Sequence, residues 1–219
     1  MKFAIVVRGH YRSFDRTFIE LKRALDGLDC NCYFHTWNLL DSETQTWHRG
    51  EKYKIKLHDR HIRTLQSFDQ TTQIEQQEFN DIELKNIYLM APYKTFDYRY
   101  TALRDTLKRI CINQCDIVIV SRYDLTINKD CFKVMNIEPN EIFIGYAETK
   151  DVDNYYKNLR ATDLLFAFHS SNIHVFNINP YSKDTIFTKA EEPFTKFIFD
   201  NFKKVTLKWK YGTDFSILR

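Results

Sequence analysis

Apolar residues cluster in short runs separated by polar stretches, and two periods recur. Phe3 to Val7 is an unbroken apolar run rich in β-branched residues, the pattern of a strand buried on both faces of a parallel sheet. Asp15 to Leu28 then carries Phe18, Leu21, Ala24, Leu25 and Leu28 at helical spacing. Cys30 to His35 reads as a second short strand. Residues 39 to 62 are polar without a clean period, and 62 to 79 are expected to hold a strand and a polar connection. A helix is predicted over Phe96 to Ile112, with Tyr100, Leu103, Leu107 and Ile110 on one side. Asp116 to Ile127 follows, and its core, Ile117 to Val120, is the clearest buried strand.

The second half changes character. Short strands are predicted at Ile142 to Tyr146, Leu164 to Phe168, His174 to Ile178 and Val205 to Trp209. Glu148 to Arg160 is polar, as a mobile loop would be. A helix is expected over Ala190 to Asn201, opened by Glu191, Glu192 and Pro193. The β–α–β order predicts an α/β fold with a mostly parallel sheet flanked by helices. It divides into a nucleotide-binding half, 1–128, and a mixed half, 129–219, that suits an acceptor.

Composition narrows the function classes. A chain of 219 residues, 43% apolar and 16% aromatic, can bury a real core as one domain, 1–219, and further domains of a longer protein are compatible with it. Net charge is +3, without the clustered basic face of a nucleic-acid binder. Lys203, Lys204, Lys208 and Lys210 come closest, but they alternate with apolar residues as in a strand. Five cysteines without a C-x-x-C pair indicate neither a disulfide framework nor a zinc site. The apolar start is too short for a signal peptide or a membrane span. These features point to a cytoplasmic setting.

Candidate chemistry sits where strands end. Asp124 closes the segment Ser121-Arg122-Tyr123-Asp124 after the clearest strand. Ligands of open α/β sheets bind outside the carboxyl ends of strands. A carboxylate there can hold a metal that holds a diphosphate, or it can simply cap the next turn. Arg8, Gly9, His10 and Arg12 follow the first strand. Gly9 lets backbone amides approach an anion, and arginine forks suit phosphate. The alternative is a solvated loop. Trp37 and Asn38 end the second strand, where they can read a base or cover the core. Asp163 precedes a buried strand, as a base, an orienting carboxylate or a turn cap.

In order, R-G-x-x-R-S-F, F-H-T-W-N and D-I-V-I-x-S-R-Y-D-L resemble the small GT-A glycosyltransferases of bacterial surface-polysaccharide clusters and large DNA viruses, over residues 1 to 180. The resemblance implies transfer of a sugar from a UDP-sugar to a glycan or glycoprotein acceptor, such as a viral capsid glycoprotein in the host cytoplasm. It implies Mn2+ or Mg2+ at an Asp-x-Asp motif. Here the corresponding tripeptide is Arg122-Tyr123-Asp124, so Asp124 alone carries over as a metal ligand, and one carboxylate anchors a cation weakly. Arg8 to Arg12 would line the uridine diphosphate pocket. Trp37, Asn38, Arg99, Arg122 and Tyr123 would face the donor, and Asp163 would act at the transferred sugar. A binding module without turnover remains a rival, favoured by Arg122 in place of an acid. A nucleotidyltransferase is a second, disfavoured because Gly9 is alone in its loop. All of this requires the Arg8–Arg12 and Arg122–Asp124 turns to lie side by side.

Overall fold

The computed structural model describes residues 1–39, 56–68, 71–78, 96–110, 114–133, 135–148, 159–178 and 191–218, without side chains at 72, 96–99, 101–102, 147–148, 159–163 and 191–193. The first apolar run forms β1 (Phe3–Gly9) at the middle of a sheet. It is flanked in parallel by β2 (Cys30–Trp37) and by β4 (Ile117–Arg122). β3 (Thr71–Gln77) joins β2, again in parallel. On the other side β7 (Leu159–His169) runs antiparallel to β4, and β6 (Glu141–Glu148) antiparallel to β7. β8 (Lys204–Lys210) pairs in parallel with β6 at the margin of the seven-stranded sheet. The short strands β5 (Leu125–Ile127) and β9 (Phe215–Ile217) pair separately. This is a mixed α/β architecture with a mostly parallel central sheet.

Strand pleating sorts the side chains onto two faces. Phe3, Ile5 and Val7 face one core with α1 (Phe14–Leu25), whereas Ala4 and Val6 face a second core. The second core is completed by α3 (Phe96–Leu107) and α4 (Glu191–Asn201). Ile5, Val6, Val7, Ile119 and Val120 are wholly buried, each contributing about 1.5–3 kcal/mol by transfer from water. That two-sided burial is why the runs carry no polar alternation.

α1 follows its sequence logic. Phe14, Thr17, Leu21, Ala24 and Leu25 face the sheet, with Asp15 in the first turn and Lys22 and Arg23 in the last. It stops at Leu25 rather than Leu28, because Gly27 turns the backbone to φ 77°. Two other expectations are corrected. Residues 170–177 form a 3₁₀ helix instead of a strand at 174–178, burying Ile173 and Phe176 three apart. α2 (Asp59–Gln66) stands where the sequence shows no clean period, since it buries little beyond His61 and Leu65. The polar segment after Glu148 lies outside the described residues between 149 and 158.

Candidate functional site

The strand order places β2 and β3 on one side of β1 and β4 on the other. The chain therefore reverses direction across the sheet between β1 and β4, the position at whose carboxyl ends open α/β sheets place their ligand crevice. Arg8 and Arg122 are paired in register there, and His35 pairs with Arg8 on the other flank. All three follow the pleat onto the face covered by α3.

Two sharp turns complete the crevice. β1 ends at Gly9 with φ 109°, where no neighbouring atom limits side-chain size, so the backbone angle alone selects glycine. Arg12 also sits in the left-handed region at φ 44°, an uncommon conformation for a residue with a β-carbon. Its Nη1 donates to Asp124 Oδ2 at 2.9 Å across 112 positions of sequence. Arg122 grips the same carboxylate twice, Nε to Oδ1 at 2.9 Å and Nη2 to Oδ2 at 2.5 Å. The Asp124 side chain is 5% exposed, against 11% for Arg122 and 20% for Arg12. Burial pushes its pKa up, but the Arg122 and then the Arg12 guanidinium outweigh that and hold it well below the usual carboxylate range. The turn is anchored below by Leu218, whose N–H donates to the Asp124 carbonyl and whose carbonyl accepts from Ser13 Oγ. Nothing in the sequence pattern points to Leu218.

The expected site residues divide into those that line this crevice and those that do not. Arg12, Arg122 and Asp124 come together, while Arg8 is in register with Arg122 and its side chain is buried. His10 is adjacent, with Nδ1 3.1 Å from the Leu39 carbonyl oxygen. Tyr123 is corrected: it is 1% exposed and packs on Phe14 at 5.0 Å in the core beneath the turn. Trp37 is likewise buried, its ring edge-on to His35 at 4.8 Å, so it covers the core instead of offering a stacking face. Asn38 uses its main chain to continue the sheet edge, donating to the Gln77 carbonyl and accepting from the Leu57 N–H. The side chains of Arg99, on α3, and Asp163, on β7, lie outside those described. β7 is antiparallel to β4 with Phe166 opposite Val120, so Asp163 lies toward the carboxyl end of β4.

Behind Arg8 runs a polar chain that the sequence does not signal. His35 Nε2 is 3.0 Å from Gln77 Oε1, Gln77 donates to Glu75 at 2.7 Å, and Glu75 pairs with Arg109. His35 is fully buried, and burial lowers its pKa, which favours the neutral ring. A shallow cavity of about 370 Å³ opens elsewhere, between Arg23, Lys129 and Asp214, and none of the crevice arginines lines it.

A divalent cation requires an arc of oxygen ligands. Among the described residues the hydrogen-bond partners of the Asp124 carboxylate are guanidinium nitrogens, and both of its oxygens accept from them. Among the described residues no three His, Cys, Asp or Glu side chains gather into a metal-sized group. The expectation of a cation on Asp124 does not fit this donor set.

No family model matches the chain, and no curated protein matches it in sequence. Solved structures do match in fold. The inositol-1-phosphate CTP transferase from T. maritima is similar at a TM-score of 0.51 and 10% identity, covering 100% of this chain and 89% of that chain. Among the described residues no helix is long and apolar enough to cross a membrane.

Proposed function

We propose that the chain is a glycosyltransferase that moves a sugar from a UDP-sugar to a glycan or glycoprotein acceptor. The observation that carries this reading is the meeting of the Arg12 and Asp124 turns at the carboxyl ends of β1 and β4. Arg12 and Arg122 set two guanidinium groups on the Asp124 carboxylate, and Arg8 stands in register with Arg122 on the neighbouring strand. Forked guanidinium donors of this kind suit a diphosphate. The order of the R-G-x-x-R-S-F and S-R-Y-D-L motifs, similar to that of small GT-A enzymes, supports the sugar as cargo. Residues 1–128 would bind the donor and 129–219 the acceptor, in the cytoplasm.

In the reaction the bond between the anomeric carbon and the diphosphate oxygen breaks, and its electron pair stays on that oxygen. Arg12 and Arg122 stabilise the growing negative charge, which is the largest electrostatic demand of the step. An acceptor hydroxyl bonds to the anomeric carbon and gives its proton to a base. Asp163 is the proposed group for that role. The test is release of UDP from a panel of UDP-sugars, with and without glycan acceptors. Asp163→Asn should cut turnover far more than donor affinity; unchanged turnover removes Asp163 from the mechanism. No binding of any UDP-sugar sinks the reading.

A second reading, nucleotidyl transfer, is favoured by the fold shared with a CTP transferase. It predicts pyrophosphate release from a nucleoside triphosphate and a sugar phosphate, so the leaving group separates the two.

A further inference from the structure

We propose that Arg12, Asp124 and Arg122 form a preassembled diphosphate clamp that works without a divalent cation, with Asp124 as a positioning residue rather than a metal ligand. The inference rests on the nucleotide-sugar reading above and deepens it. Three observations carry it.

The carboxylate already accepts three hydrogen bonds from two cations. Arg122 engages it through Nε and Nη2, and Arg12 through Nη1. A metal ion reaching those oxygens would have to displace or face two guanidinium groups, at a strong electrostatic cost.

Access is graded in the sense a clamp needs. Asp124 is the most buried of the three side chains, and the two arginines are more accessible. An anion arriving from solvent meets guanidinium edges first. Arg122 turns its Nε–Nη2 edge inward to Asp124, so the opposite edge, Nη1 with the second Nη2 proton, faces away from that carboxylate. A planar fork fixed at one edge presents the other in a set direction.

Arg12 is held in a costly backbone geometry. Its φ of 44° directs a long side chain from the β1 turn to a carboxylate on the β4 turn. Strained positions of this kind persist where the surroundings enforce them, and they cluster at ligand clamps. Asp124 thereby fixes two arginines, one from the turn after β1 and one at the end of β4, at one spacing. Developing charge on the leaving diphosphate then meets fixed dipoles with no reorganisation.

The test is calorimetric titration of UDP and of pyrophosphate into the full chain, once with excess EDTA and once with manganese. Affinity should agree within about threefold between the two conditions. Arg122→Gln should weaken both ligands about 10- to 100-fold, the range for a lost charge-assisted hydrogen bond. Because Asp124→Asn can disturb folding, Arg12→Lys supplies an independent check: it keeps the charge, loses the fork, and should weaken binding by about tenfold. The Arg122 Nε–H resonance should shift as pyrophosphate is added in EDTA, which a purely structural ion pair would not do. A loss of more than about tenfold in affinity on removing manganese overturns the clamp and leaves the glycosyltransferase standing. Unchanged binding in Arg122→Gln overturns the clamp as well. Failure of UDP and pyrophosphate to bind in either condition overturns both readings.

Discussion

Replacing Asp124 by Asn removes one buried negative charge while preserving shape. Three hydrogen bonds from guanidinium donors end on that carboxylate. Asn retains one acceptor oxygen but no charge, so two arginines are left facing each other. Removing one partner from a buried ionic group costs about 3–5 kcal/mol, mostly from the uncompensated charge that remains. Arg12 and Arg122 keep some contact with water, which lets them rehydrate, so the lower end, about 3 kcal/mol, is expected. With a urea dependence near 3 kcal/mol per molar for a chain of this size, the unfolding midpoint should fall by about 1 M. Far-ultraviolet circular dichroism against urea measures it. Asp200→Asn is the internal control, because the Lys196–Asp200 pair is exposed on both sides and such pairs contribute little. Its midpoint should stay put. If Asp124→Asn moves the midpoint no further than Asp200→Asn does, the ion-pair geometry assigned to the crevice is wrong.

Gly145→Ala should cost about 1–3 kcal/mol by overpacking, because an added β-carbon would lie 2.8 Å from Phe215 Cζ and 3.0 Å from the Leu165 carbonyl oxygen. A calorimetric melting temperature equal to the parent's would refute that contact. Trp209→Phe loses the 2.8 Å bond from Nε1 to the Cys131 carbonyl and some ring volume, for about 2–3 kcal/mol by urea unfolding. His35 has a lowered pKa when folded, so the native state binds fewer protons than the unfolded one and stability falls as pH drops below about 6.5. His35→Gln should flatten that acid limb in melting temperatures taken from pH 7 to 5; an identical slope would show that the ring is not held neutral.

What is legible in the sequence is what depends on local pattern. β1 and β4 are two-sided apolar runs with β2 between them in sequence, and their order implies the parallel sheet. The two turns are legible because a buried strand that ends abruptly in charge must meet solvent or a ligand at that point. What stays hidden depends on distant partners. Nothing near Asp124 says that its oxygens belong to an arginine 112 positions earlier, so the carboxylate reads as a metal ligand. Tyr123 and Trp37 look like site residues because aromatic rings at strand ends serve either core or ligand, and only packing decides. α2 escapes because its cap is made by two histidines, the His61 ring accepting from the His58 N–H at 3.0 Å, in place of the usual Ser, Thr or Asp.

β8 at the margin of the sheet has a bearing on how this protein is handled at high concentration. An unguarded strand margin invites a neighbouring chain to add its own backbone. Lys204 and Lys208 are exposed along β8, and the Lys204 ammonium is tied to Glu141 on the adjoining strand. Any intruding segment would have to strip water from those ammonium groups, which keeps molecules apart. Neutralising Lys204 and Lys208 together would leave the Val205, Thr206 and Leu207 stretch less guarded, turning a protected margin into a nucleus for fibrous association.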